Sequence, residues 1–534
     1  MSKITISEKD LTISNEVDVA SNVVFVPGIT SSIAEDKPTL FTSVSQFTQK
    51  YGTKPYKFAS DQVVDGKTVI SANEYEKSYI YAIELLNVGI PVLFQCVVSV
   101  MDECSFNLAT IDSSTYIKSY YYTLTSVEST TASAEYAPYK YLILDTDKYI
   151  YASADEYDED TTYFETTLAT GDFDNTTTYY EYVDSNVLSQ YYTKLSTTPT
   201  CYSKVLDKWT YNIKFLSTGG YPTLLDSTQV DLLQTLAMAS AVRGDSVSLV
   251  DSPINESVYT TFTNINTKIQ ADLQDATKKQ NYFVKGGDSN KCNLVFKLNA
   301  NRLEENTLKY ATIIGPQGTY NIANGILKLN EIETIILPGS FGYLLSLANS
   351  VETLNNPDYF AVAGVTRGKV PQLAQLTVET TGAEADAVQV RPAKVGSEGV
   401  GAISVNPIVK VQNYDYCIWG NRTLFPNPIK DLAASSFLNI RVLSADVKKQ
   451  IYASCQKLTF ETNNLELWLK LKSEIEPLLE KMVADGALED YELTRLVSTE
   501  KATLTVYVKL IAEYAVEDFN VTIGLTDSTV EIAE

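Results

Sequence analysis

Within the first hundred residues two capped helical faces lie between two short apolar runs, and this order restricts the fold more than any other feature. The run Val23–Val26 closes at Pro27-Gly28. Ser43 with Gln46 forms a capping-box pattern, and Val44, Phe47 and Tyr51 then make one helical face before Gly52. Ser71 with Glu74 repeats the device, and Tyr79, Ile83 and Leu86 carry the face on to Gly89, a natural residue just past a helix end. Pro91 and the run Val92–Val98 read as a buried strand. Strand, helix, helix, strand predicts a layered α/β domain.

The chain has 534 residues, enough for about three or four domains. The α/β pattern breaks near Asp112, where residues up to about Trp209 are crowded with Tyr, Thr, Ser and Asp. No Lys or Arg occurs between Asp155 and Asp184, and DEYDEDTTYFE from Asp155 is echoed by GDFDNTTTYYE from Gly171. Tyr and Thr favour strands, so a β-rich insert with short hairpins is expected over 112–208, with disorder as the competing reading. The α/β pattern resumes with a helix over Asp226–Val242 and strands at Val247–Val250, Tyr310–Ile314 and Ile332–Leu337. A helix follows over Phe341–Leu354, and a linker is expected between Val370 and Gly401. The division expected is therefore 21–111 and 209–384 for the α/β domain and 385–515 for a compact α+β unit.

In that last unit Leu443, Val447, Ile451, Cys455 and Leu458 place one face on a long helix. Asn463 is expected to cap a second helix carrying Trp468, Leu471, Ile475, Leu479 and Met482, with a kink at Pro477. Strands follow at Thr503–Leu510 and Phe519–Leu525, the latter including Val521 and Ile523. The first twenty residues also alternate, with Ile4 and Ile6, Leu11 and Ile13, then Val17 and Val19. Both ends (1–20 and 516–534) read as strand-forming arms, the plainer alternative being an edge strand of the protein's own sheet.

Composition narrows function. The chain contains no histidine, which removes Ser-His-Asp and Cys-His nucleophile activation and HExxH metal sites. Carboxylate or lysine catalysis remains chemically open, but a non-enzyme is the expectation. The net charge of −24 repels phosphate backbones, so nucleic acid is not expected as a direct partner. Six cysteines include no CxxC pair, so neither a zinc knuckle nor a disulfide framework is indicated. No run of eighteen apolar residues and no signal-peptide core occurs, so a soluble protein folded in the cytoplasm without direct membrane binding is expected.

Local motifs carry no chemistry. GVTRGKV at Gly364–Val370 has three residues between its glycines where a phosphate loop needs four, and Val370 where Ser or Thr should stand. GSEGVG at Gly396–Gly401 has the wrong spacing for a dinucleotide fingerprint. PGSFG at Pro338–Gly342 offers Ser340 without a histidine to activate it. Glu156, Asp158 and Asp160 alternate like a calcium loop, but Thr161 and Thr167 replace its glycine and closing glutamate. No cofactor or metal is expected. The tyrosines Tyr163, Tyr179 and Tyr180 suit either stacking on a partner or cross-strand packing.

Three segments resemble the tail sheath family of contractile phages and related injection machines. They are PTLFTSVSQFTQKYG at Pro38–Gly52, followed by Gly89–Val92; NNPDYFAVAGVTRGKV at Asn355–Val370; and YDYCIWGNRTL at Tyr414–Leu424, running on through FLNIRVLSADVKKQIYASCQKLTFETNNLELW and DGALEDYEL. Arg367, Arg422 and Arg441 fall inside these segments, although the chain has no arginine before Arg243. Asn421, Val442 and Thr462 depart from the family pattern, and 112–209 is not covered.

The resemblance implies a structural subunit with a subtilisin-like α/β middle domain. It implies a helical sleeve of many copies around a tail tube, contracting to drive the tube through the host envelope. Terminal arms would donate strands to neighbours. The implied partners are further copies of the chain, the tube protein, and baseplate and neck or terminator proteins. The implied location is the phage tail in the virion, assembled in the host cytoplasm. Inter-subunit or structural roles are implied for Ile4, Ile6, Arg367, Trp419, Arg422, Arg441, Lys448, Lys449, Val521 and Ile523. Lys448, Lys449 and Lys457 are expected to face acidic groups of the tube or a neighbour, or else simply solvent. A surface adhesin or virion decoration protein is the competing class, with a carboxylate-dependent glycosidase behind it.

Overall fold

The computed structural model describes residues 22–30, 34–58, 61–71, 74–99, 187–197, 199–208, 210–284, 305–389, 403–426, 434–496 and 504–515, and the backbone of short strands between 107 and 181. The chain forms two compact units, Met1–Ala453 and Ser454–Glu534.

The first unit is built on an eight-stranded sheet. Its strands are β1 (Val24–Thr30), β2 (Thr39–Phe41), β3 (Val92–Ser99), β4 (Phe215–Leu216), β5 (Val247–Asp251), β6 (Ala311–Gly315), β7 (Asn406–Lys410) and β8 (Tyr416–Ile418). They lie in the order β2-β3-β1-β4-β5-β6-β7-β8. The six inner strands are parallel, and β2 and β8 close the edges antiparallel. Parallel strands are covered on both faces, which is why these segments are continuous apolar runs and not alternating ones.

Six helices of this unit matter below: α1 (Val44–Tyr51), α2 (Lys77–Asn87), α3 (Val187–Ser196), α4 (Asp231–Arg243), α5 (Val258–Gln274) and α6 (Gly339–Ala348). The Ser43 cap holds, its side chain accepting from Gln46 N while Gln46 Oε1 accepts from Thr42 N. In α2, α4 and α6 nearly every residue is buried, as expected of helices apolar all round.

Several expected boundaries move. Ser71 N does donate to Glu74 Oε2, at 3.1 Å, but α2 starts only at Lys77. Asp226 turns back on Thr228 instead of starting a helix, and α4 begins at Asp231. The strand expected at Ile332–Leu337 is Thr334–Leu337, in a separate antiparallel sheet with Gly318–Asn321 and Leu373–Leu376. The expected linker contains that last strand and a helix, Gly382–Ala387, opened by a complete capping box of Thr381 and Glu384. The Tyr-rich composition also hid α3, whose Val187, Leu188, Tyr191, Tyr192 and Leu195 are core residues. Asn406–Lys410 and Tyr416–Ile418, placed by sequence in the C-terminal unit, are strands of the large sheet.

The first unit ends at Ala453, within the long helix α7 (Leu438–Lys457). The second unit contains α8 (Leu465–Ala484) and the hairpin β9 (Leu488–Leu496) with β10 (Thr505–Ala512). Asn464, not Asn463, caps α8 by accepting from Leu467 N, and the helix continues through Pro477 to Ala484. Leu467, Leu471, Ile475, Leu479 and Met482 form its buried stripe. The strand β9 was not expected, because its solvent-side positions carry Glu489, Asp490 and Glu492 and mask the period. Ile4, Ile6, Val521 and Ile523, like Glu156, Asp158, Asp160 and 396–401, lie outside the described residues.

Candidate functional site

In open α/β sheets, ligands bind beyond the carboxyl ends of the strands, where the strand order reverses. Here that place is between β1 and β4, and it is filled. Tyr191 of α3 donates its hydroxyl to Pro27 O at 2.9 Å and Thr218 O at 2.8 Å. Ser217 Oγ donates to Phe25 O at 2.9 Å. Gly219 crosses at φ +64, so close that a Cβ there would overlap Pro27 O. Backbone and one phenol occupy the crevice that a substrate would need.

The next strand end is closed as firmly. Asp251, at the end of β5, accepts from Ser340 N and Oγ and from Thr218 Oγ1, and Tyr81 lies 3.4 Å from the Ser340 hydroxyl. Asp251, Ser340, Thr218 and Tyr81 are all wholly buried. Burial raises the Asp251 carboxyl to about 7 against the four hydrogen bonds that lower it. The same carboxyl takes both the backbone N–H and the hydroxyl of Ser340 and so caps the helix at whose start Ser340 stands. Gly364–Arg367 is a four-residue helix, and Lys369 pairs with Asp415 at 2.7 Å, so this segment forms no phosphate loop. Among the described residues, no group of three or more Cys, Asp or Glu is placed to hold a metal. Nor, among them, is any helix long and apolar enough to cross a membrane.

The amino ends of the strands carry the unusual chemistry. Lys214, just before β4, is fully buried and lies 2.7 Å from Asp358 Oδ2 and 2.8 Å from Asp446 Oδ2 of α7. Although burial opposes its charge, the two carboxylates raise the Lys214 ammonium above its ordinary range. Just before β5, Asp245 takes two bonds from Arg243, which also donates to Val205 O and Tyr211 O. Lys448 of α7 donates to Gly244 O at 2.9 Å, meeting the negative end of α4. Arg441 stacks 4.2 Å over Tyr310, which precedes β6. One face of α7 is thus tied by charge to the starts of three adjacent strands.

A second arginine is built into the sheet edge. Arg422 is 1% exposed and lies 4.1 Å over Phe437. Its backbone is clamped by Asn406, whose Oδ1 accepts from Arg422 N and whose Nδ2 donates to Arg422 O, both at 2.7 Å.

The sequence-selected residues therefore separate. Arg422, Arg441 and Lys449 are buried in their own chain. The expectation that Lys449 faces outward is corrected, for it is 5% exposed, whereas Lys448 is exposed while donating to Gly244 O. Lys457 is exposed, 3.9 Å from Glu474. Arg367 is half-buried over Phe360, and burial lowers its guanidinium. Trp419 is 37% exposed at the β8 edge. Lys214, Asp358, Asp446 and Asn406 were missed. In the second unit, β9 and β10 form a two-stranded sheet whose outer edges bear no further strand among the described residues. Leu496 and Tyr507 on it are exposed.

No protein-family model matches this sequence, and no curated protein matches it. Solved structures do. A chain of the anti-feeding prophage (AFP) baseplate in contracted state matches with a TM-score of 0.51 at 12% identity, covering 98% of this chain and 97% of that one. The PVC sheath complex of an extracellular contractile injection system, in contracted state, gives 0.46 at 14% identity over 99% and 98%. The sheath tail protein from Desulfitobacterium hafniense gives 0.40 at 11% identity over 96% and 100%. The chain shares the fold of the AFP baseplate chain.

Proposed function

We propose that this chain is the structural subunit of a contractile phage tail sheath. It polymerises as a helical sleeve around the tail tube and contracts to drive the tube through the host envelope. The observation that carries the proposal is the fold correspondence with a component of a contractile injection assembly along 98% of the chain. The closed crevice between β1 and β4 supports a non-enzymatic role, because the usual place for a substrate is taken by Tyr191 and Gly219. The hairpin β9–β10 supports strand exchange: an open two-stranded ribbon is stable in isolation only marginally and offers two edges to strands from neighbours. The alternating ends of the sequence, 1–20 and 516–534, are the proposed donors. The proposed partners are other copies, the tube protein, and baseplate and neck proteins, in a tail assembled in the host cytoplasm and carried in the virion.

Negative-stain microscopy of the purified protein, alone and co-expressed with the tube protein, tests this. Long hollow sleeves are the expected result; dispersed particles that bind glycans instead would indicate an adhesin. Deleting Met1–Val19 should leave a folded monomer that forms no sleeves. Sleeves that persist after the deletion would remove the arm from the mechanism. Tails found attached to DNA-filled capsids, as against free tails, distinguish a phage from a related injection device.

A further inference from the structure

Lys449 is the lysine of the α7 charge cluster that lies buried with its ammonium nitrogen unbonded. Its side chain is 95% buried, since the residue is 5% exposed, and no hydrogen-bond acceptor for Nζ occurs among the described residues. Of the acids around it, Asp245 is bonded to Arg243 and Asp358 to Lys214, while Asp446 pairs with Lys214 through Oδ2 and leaves Oδ1 without a hydrogen bond. Two of the groups that face it, Lys214 and Arg243, are themselves cations. A buried ammonium without an acceptor is among the costliest arrangements in a protein interior, whereas the neutral amine is tolerated there.

We infer that proton uptake at Lys449 loosens α7 from the amino edge of the sheet, making this helix a proton-sensitive latch. The electrostatics agree in sign. Burial holds the Lys449 amine below the ordinary lysine range; Asp245 and Asp446 partly offset this, and Lys214 and Arg243 reinforce it. The released amine regains an ordinary affinity for protons, so the released state binds more protons than the docked state below the ordinary lysine range. Docking is then firmest at alkaline pH and weakens as pH falls toward neutrality. Lys448 and Arg441, on the same helix, keep partners that do not need this proton, Gly244 O and the Tyr310 ring.

Hydrogen exchange of the α7 amides in the full-length protein at pH 7.0 and 8.5, corrected for intrinsic rates, tests the latch. This window lies below the ordinary lysine range. The Asp251 carboxyl at the end of β5, raised by burial to about 7, titrates at its lower end with the opposite sign, so the slope of α7 is read beside that of β5. The opening constant of α7 should rise by up to about 10-fold per pH unit as pH falls. Lys449→Met, which keeps the buried stem, should abolish the dependence, and Lys449→Gln is read the same way if the first variant does not fold. A wild-type opening constant that is flat across the window overturns the inference. So does a slope retained in the variants. A slope that appears equally in β5 overturns it as well, because the proton would then accompany global unfolding and not release of α7.

Discussion

Asp251 Oδ1 accepts the backbone N–H of Ser340 at 2.8 Å, so a carboxylate at a strand end caps a helix that has no cap of its own. The residue before α6 is Pro338, which supplies no side-chain hydrogen bond. The first-turn donors of α6 would be orphaned without a partner from outside the helix. Asp251 is that partner, and it fastens α6 to the end of β5.

The Asp251 carboxyl titrates at about 7 in the folded chain, above its ordinary range, because burial disfavours the charge. A folded-state value above the unfolded one contributes stability that is complete below about pH 4. It is lost as pH rises through about 7. Urea unfolding should therefore give a wild type that loses roughly 2–3 kcal/mol between pH 5 and pH 8 through this group. Asp251→Asn should lack that part of the slope while keeping the cap. An identical pH profile in the two proteins would place the titration elsewhere.

Asn406→Ala should be strongly destabilising although it removes only a small side chain. It strands Arg422 N, and it takes donors from Arg422 O and Thr312 Oγ1 in a dry edge of the sheet. The expected loss is about 2–4 kcal/mol, read as a lower midpoint in denaturant. Asn406→Asp should not rescue it, because the Nδ2 donor is still missing.

Tyr191→Phe tests the sealed crevice. The phenol shares its hydroxyl between Pro27 O and Thr218 O, and removing it leaves those carbonyls buried without that donor. A loss of about 1–3 kcal/mol is expected. Gly219→Ala should be worse, because φ there is +64 and the added methyl meets Pro27 O. A Gly219→Ala protein with unchanged stability would mean that the β1–β4 crevice has room to open.

The segment between β3 and α3 should be removable up to, and not beyond, the start of α3. Replacing 112–184 with a short Gly/Ser linker should preserve far-ultraviolet circular dichroism of the α/β unit and cooperative unfolding. Extending the replacement to 208 should abolish folding, since it deletes Val187, Tyr191, Leu195 and Tyr202 from the core. Equal tolerance of both replacements would contradict this packing.

Much of this architecture can be read from local patterns. The Ser43 cap, the turn at Gly89, the apolar strands and the stripe on α8 are all short-range signals, and each forms as its spacing suggests. Where reading failed, the signal was shared or non-local. The Ser71–Glu74 bond exists, but the same chemistry serves a turn as readily as a helix start. The spacing of Val187, Leu188, Tyr191, Tyr192 and Leu195 is helical, but it lies in a Tyr- and Thr-rich stretch whose composition favours strands. The α7 cluster had no local signature at all: Lys214 meets Asp358 across 144 residues of sequence. Lysines on a helix in sequence look like a solvated stripe; only the fold brings strand starts against them.

The position of β1 has a mechanical consequence. The described chain enters directly into this strand, and β1 lies inside the sheet, paired along seven residues with β3 and along two with β4. Tension applied through the preceding segment pulls β1 lengthwise between both neighbours. Both ladders are then sheared at once, so their hydrogen bonds share the load and must fail together. A strand at the sheet's margin, pulled sideways, would instead unzip one bond at a time. In the strand exchange proposed above, an N-terminal tether would therefore be anchored where both ladders resist the pull together.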